Sequence, residues 1–218
     1  MLELKDFFSA IKDEVYCVIK PDINLPKYSK GSDIDIFCYD SNVLSKKILA
    51  IGNKYIVEGF EIFISKNNDQ IYIDFKNKID NEIEFRFDIY SSLPEYKNLL
   101  IKPAFFENVL ENRISFEMND GFSIFVPCLL DDNILRYIEY QEWYGRRPDK
   151  IKHIDYILEN NSTLERAIFL QKLHHYTELP RVEVVYPVKK KRMLPASLRK
   201  AISKLLPKKI KIIIKRYM

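Results

Sequence analysis

The sequence predicts an α+β fold: a mixed sheet with flanking helices over residues 1–93, a mainly helical subdomain over 94–180, and a basic amphipathic tail over 181–218. Three observations carry this. A β-patterned run begins at Lys30-Gly31-Ser32-Asp33-Ile34-Asp35-Ile36-Phe37, three further β-rich runs follow it as a meander, and past Ser92-Leu93-Pro94 the apolar spacing becomes helical.

Taken in order, Leu2, Leu4, Phe7, Phe8 and Ile11 recur at helical spacing, so residues 2–13 read as an amphipathic helix. Val15–Ile19 is a short β-branched run and reads as a buried strand; Pro21-Asp22-Ile23-Asn24-Leu25-Pro26 is a loop by its prolines and Asx residues. After the strand Asp33–Cys38, residues 42–55 read as a helix with Val43, Leu44, Ile48 and Leu49 inward. The meander strands are Glu61–Ser65, Gln70–Phe75 and Glu82–Tyr90, separated by Asn, Asp and Lys turns. The last alternates cleanly, with Ile83, Phe85, Phe87 and Ile89 on one face and Glu84, Arg86, Asp88 and Tyr90 on the other.

Beyond residues 93–102 the spacing predicts a helix over Pro103–Asn112, a hairpin over Ser115–Val126 turning at Asn119-Asp120-Gly121, and helices over Leu129–Tyr140, Pro148–Asn160 and Thr163–Tyr176. In the last helix Leu164, Ala167, Ile168, Gln171 and His175 share a face, and Asn161-Ser162-Thr163 is a capping stretch.

Composition narrows the function classes. With 47% hydrophobic and 30% charged residues, 5 glycines and 10 prolines, the chain reads as globular rather than repetitive. Cys17, Cys38 and Cys128 are odd in number, far apart and set in apolar runs, as reduced cysteines of a cytosolic protein are. His153, His174 and His175 are too few and too scattered for a zinc site. No apolar run approaches the roughly 20 residues that span a bilayer, and the N-terminus reads as a charged amphipathic segment rather than a signal peptide.

Charge is distributed unevenly. From Lys189 onward lie 12 of the 35 basic residues and none of the 31 acids, which leaves residues 1–188 with 23 basic against 31 acidic, a net of −8. A body of that sign argues against a nucleic-acid partner. Over residues 189–218 the stripe Leu194, Leu198, Ala201, Ile202, Leu205 and Leu206 with flanking lysines suits an anionic membrane surface, each basic residue adding about 1 kcal/mol. The expected location is therefore cytoplasmic and peripheral at the inner face of the membrane. The alternative is a stripe docked on the acidic body with solvated lysines.

The candidate site starts from the aspartates. Asp33 and Asp35 fall on the same face of one strand, because strand side chains alternate, while Ile34 and Ile36 point into a core. Two such carboxylates repel unless something neutralises them, most simply a divalent cation with oxygen ligands. Asp88 is the best candidate for a third carboxylate, with Asp74 in reserve; the competing reading makes these acids solvated groups on an exposed sheet face or a turn cap. A calcium loop is excluded, because Ile36-Phe37-Cys38 cannot supply its further oxygen ligands. Gly31-Ser32 supplies a tight turn and N–H groups for a phosphate, with Lys30 as a nearby countercharge.

Helix, strand, loop, Gly31-Ser32, Asp33-Ile34-Asp35-Ile36 and a later strand carrying Asp88 together resemble the nucleotidyltransferase superfamily with the DNA polymerase beta type of core, over residues 1–93. The Leu-Pro loop and Gly-Ser-Asp-Ile-Asp-Ile run are also similar to nucleotidyltransferase-like proteins encoded with bacterial surface-polysaccharide genes. The resemblance implies a nucleotidyltransferase-like sheet and a transferase that moves a nucleotidyl or phosphoryl group from a nucleoside triphosphate. Its acceptor would be a small molecule or glycan, in cell-surface polysaccharide biosynthesis. It implies that Asp33, Asp35 and Asp88 are catalytic and bind Mg²⁺ or Mn²⁺, and that Lys30, Gly31 and Ser32 contact the nucleotide. One departure stands out. The family's upstream glycine motif falls at Ile19-Lys20-Pro21-Asp22-Ile23-Asn24, which holds no glycine. That keeps open a catalytically inactive module that binds a nucleotide or partner, tethered by its basic tail.

Overall fold

Alternation along the strands decides the architecture, because each strand must offer side chains to both sides of its sheet. In the computed structural model, which describes residues 1–118 and 121–177, five strands form one mixed sheet. They are β1 (Tyr16–Ile19), β2 (Ser32–Cys38), β3 (Phe60–Asn67), β4 (Gln70–Asn77) and β5 (Ile83–Tyr90), in spatial order β1-β2-β5-β4-β3. β2 and β5 run parallel and the other neighbours antiparallel. The fold is thus mixed α+β, and the expected meander is β3-β4-β5.

One face of the sheet is dry. Ile34, Ile36, Ile73, Phe75, Phe85 and Phe87 pack with Phe7 and Phe8 of α1 (Leu4–Ile11) and with Leu44, Ile48 and Tyr55 of α2 (Ser41–Val57). Asp40 caps α2, its side chain accepting from the N–H groups of Asn42 and Val43. Midway along α2, Gly52 lets the helix approach the sheet: a Cβ there would lie 2.9 Å from the Phe75 ring. The hairpin β6 (Ile114–Met118) and β7 (Phe122–Val126) adds Met118, Phe122, Ile124 and Val126 to this core; residues 119 and 120 of its turn lie outside the described residues.

The opposite face is covered only in part. Cys17, Ile19 and Phe37 carry a second core built by α3 (Ala104–Glu111), α4 (Leu129–Trp143), α5 (Lys152–Glu159) and α6 (Thr163–Tyr176). Described residues up to 177 belong to one compact unit, in which the helices after Ser92 share their core with β1 and β2. A 3-10 turn at Pro148–Ile151 precedes α5, where the periodicity predicts one helix. The α6 start is a full capping box, Ser162 and Glu165 bonding each other's backbone N–H.

The buried side of α6 differs from expectation. Phe169 and Leu173 are buried, whereas Leu164 is 71% exposed and Ile168 is exposed as well. Apolar residues surround this helix, so spacing alone does not choose a face, and the edge-on contact of Phe169 with Tyr137 does. Cys17 and Cys38 are buried, Cys128 half-buried, and all three are free thiols. Among the described residues no helix is long and apolar enough to cross a membrane. The tail expected over 181–218, with its basic stripe, lies outside the described residues.

Candidate active site

The partly uncovered face gathers the acids. Parallel pairing sets Asp35 opposite Asp88 and Asp33 opposite Arg86, and residues facing each other in register share a sheet face. Antiparallel pairing of β4 adds Tyr72 beside Asp88 and Asp74 beside Arg86. The Arg86 guanidinium grips Asp74 with both donors, Nε to Oδ1 at 2.5 Å and Nη2 to Oδ2 at 3.0 Å. From Asp88 Oδ1 that Nε is 3.8 Å away. Asp74 is therefore satisfied by its own ion pair, while Asp88 keeps a buried oxygen, Oδ1, without a hydrogen-bond partner.

Burial and like charge act together on these carboxyls. Asp88 is 8% exposed. Its pKa is pushed up to about 7, first by burial and then by Asp35, against the pull of Arg86. Asp35 is raised by burial and by Asp33, with Lys20 and the Tyr90 hydroxyl opposing. Asp33 sits at the exposed start of the strand. The set offers oxygen donors of the kind a divalent cation takes: a buried carboxylate oxygen without a hydrogen-bond partner, a second carboxylate in register beside it, and a third two residues along the same strand face. Among the described residues, no three His, Cys, Asp or Glu side chains are gathered around one point that could hold an ion as they stand.

Asp35 lies where two clefts meet. The first, of about 310 Å³, is walled by Phe37, Tyr90, Tyr96, Leu135 and Trp143 and rimmed by Glu95, Lys97 and Glu142. The second, of about 580 Å³, runs past Ser32, Asp33 and Asp35 on one side and Arg136, Arg147, Lys150, Lys152 and His153 on the other. Lys20 and Glu139 line both. Glu139 is the hub of the second: it accepts from Lys20 and Lys150, and His153 Nε2 lies 3.3 Å from its Oε2. Burial opposes ionisation of Glu139, but His153, Lys20 and Lys150 outweigh it and hold the carboxyl well below the usual glutamate range.

The sequence-derived residues divide into two groups. Asp33, Asp35 and Asp88 come together on one face. Lys30 turns away, its Nζ bound to Asp80 and 2.9 Å from Glu82 Oε2, so it is not the countercharge of the aspartate pair. The Gly31 and Ser32 amides are also engaged, donating to the carbonyls of Glu84 and Ser29 at 3.0 Å. Neither is free to meet a phosphate, and what remains there is the Ser32 side chain on the cleft wall. The residues that sequence reasoning missed are Lys20, Glu139, Arg147, Lys150, Lys152 and His153. No local motif marks them, because they meet only when α4 and α5 pack beside β1; the one signal was a polar Lys20 directly after a buried strand. No protein-family model matches the chain and no curated protein matches it, so the reading of this site rests on its own geometry.

Proposed function

We propose that the chain is a metal-dependent transferase, moving a nucleotidyl or phosphoryl group from a nucleoside triphosphate to a small-molecule or glycan acceptor. The observation that carries this reading is the in-register pair Asp35 and Asp88, half-buried and buried respectively, with one oxygen of Asp88 lacking a hydrogen-bond partner. A fold that sets two carboxylates opposite each other in register spends stability on them, as functional sites do. Asp33, Asp35 and Asp88 would hold Mg²⁺ or Mn²⁺, which when bound neutralises charge on the transferring phosphoryl group and acidifies the acceptor hydroxyl.

The chain's own groups supply the rest. An acid poised near neutrality, Asp88 accepts the proton of the acceptor hydroxyl as its oxygen bonds to phosphorus and the bond to the leaving phosphate breaks. Tyr96 and Trp143 offer flat apolar walls to a ring, with Glu95 and Glu142 at the rim for hydroxyl groups. Such walls also exclude water from the reacting centre. Residues 189–218 would hold the protein at an anionic inner membrane surface, which co-sedimentation with anionic vesicles, against neutral ones, tests.

The occupied amides of Gly31 and Ser32 favour one other reading, a catalytically inactive nucleotide-binding or partner-binding module. One experiment separates the two: calorimetric titration of each nucleoside triphosphate with Mg²⁺ or Mn²⁺ into the protein and into Asp33→Asn/Asp35→Asn. Metal-dependent binding that disappears in the variant, with turnover, supports the transferase. Binding that survives in the variant, without turnover, supports the module.

A further inference from the structure

The second cleft asks what its cations are for. Lys20 and Lys150 share one carboxylate, Glu139, which leaves that trio with a surplus positive charge. Among the described residues, exposed Lys152 has no ion-pair partner, and Arg147 pairs only with Asp149, at 3.1 Å across an exposed surface, where such a bond is weak. Arg136 is committed elsewhere, bonded to Asp132 at 2.7 Å and stacked 3.9 Å over the Tyr156 ring.

Two independent features show that the arrangement is held in place rather than incidental. Lys20 adopts a positive φ of 50°, a backbone conformation that a non-glycine residue keeps only when its surroundings enforce it. His153, 4% exposed, lines the cleft with Nδ1 lacking any hydrogen-bond partner. Both residues line the cleft that Asp33 and Asp35 also line, Lys20 following directly on Ile19, the register partner of Asp35.

We propose that this cleft is a polyphosphate subsite, in which Lys20, Arg147, Lys150 and Lys152 bind the phosphate chain of the substrate next to Asp33 and Asp35. Lys20 and the cations of the helical half take the place of the absent upstream glycine motif and of the engaged Gly31 and Ser32 amides. Ammonium and guanidinium donors suit phosphate oxygens, and Lys20, shared by both clefts, reaches the junction where the group would be transferred. The inference deepens the transferase reading, yet its test does not depend on turnover.

The probe is inorganic tripolyphosphate, titrated by calorimetry into the full chain in the presence of a chelator. Wild type is expected to bind it at one site. Arg147→Gln/Lys152→Gln, which alters two exposed side chains and leaves the core intact, is expected to weaken that binding at least tenfold. Asp33→Asn/Asp35→Asn is expected to tighten it, because two facing negative charges are removed. Lys208→Gln/Lys209→Gln removes the same charge from the basic segment and is expected to change nothing. Competition with a nucleoside triphosphate and with a nucleoside-diphosphate sugar then tells which source of the phosphate chain the site prefers. Absence of tripolyphosphate binding, or binding that Lys208→Gln/Lys209→Gln weakens and Arg147→Gln/Lys152→Gln does not, overturns the proposal. Loss of tripolyphosphate binding in Arg147→Gln/Lys152→Gln upholds the subsite even if Asp35 proves dispensable for turnover.

Discussion

Phe87 and Asp88 are chain neighbours on one strand, and they face opposite worlds. Phe87 is 0% exposed and meets Phe7, Phe75 and Phe85, all at ring-centroid distances of 6.0 Å or less. Asp88 is nearly as buried but stands in register with another carboxylate and has an oxygen that lacks a hydrogen-bond partner. The two faces of this sheet bury comparable side chains with opposite energetic sign. Apolar burial on the α1–α2 face stabilises the fold, and carboxylate burial on the other face costs stability that the first must supply.

Four substitutions test that contrast. Phe87→Ala should have the largest effect, a loss of about 3–5 kcal/mol read from urea unfolding, because the surrounding rings cannot collapse into the vacancy. If the loss were below about 1 kcal/mol, the dry face would not be the source of stability. Glu139→Gln should lose about 3 kcal/mol, since it leaves Lys150 buried without its anion. Its pH dependence has a definite sign. With the folded-state pKa held low, the Glu139 contribution is complete above the ordinary glutamate pKa of 4.5 and is lost as pH falls below it, so wild type and variant should converge in acid.

Asp88→Asn should move the other way and stabilise the metal-free protein by about 2 kcal/mol at pH 8. The carboxyl is raised from 3.8 to about 7 in the fold, so ionisation costs the native state increasingly as pH climbs through that window. Thermal unfolding at pH 8 and again near pH 4 should show the gain at the higher pH only. A variant less stable than wild type at pH 8 would mean that the charge is compensated by Arg86. The smallest effect belongs to Gly52→Ala, where better helix propensity of about 1 kcal/mol opposes a contact of 2.9 Å with a ring locked among other aromatics. A net loss of about 1 kcal/mol is expected by the same urea measurement.

These contrasts also explain what could be read from residue order. Glu82–Tyr90 and Asp33–Cys38 alternate so regularly that their strand state, their inward residues and the common face of Asp33 and Asp35 follow from period two. The choice of Asp88 over Asp74 was legible as a preference only, since both sit on polar faces. In the structure Arg86 is bonded to Asp74, and Asp88 is the acid in register with Asp35. Lys30 looked like a partner of Asp33 by proximity in sequence, yet the turn carries it toward Asp80 and Glu82, and distance along a chain says little about direction across a glycine at φ 81°. The Lys20–Glu139–Lys150 cluster was invisible because tertiary packing, not local pattern, creates it: a glutamate on a helix reads as solvated until another element buries it.

The parallel pairing of β2 with β5 has a further consequence, for the order of folding. Hairpins β3-β4 and β4-β5 close over short turns, but joining β2 to β5 must enclose α2, β3 and β4 in a single loop and bear its closure entropy. The strand pair that brings Asp35 to Asp88 is therefore expected to zip last. Until then the two carboxylates remain apart and hydrated, so their repulsion does not hinder the early collapse of the aromatic layer. Pulse-labelled hydrogen exchange during refolding would show it: β4 amides protected first, β2 amides after them.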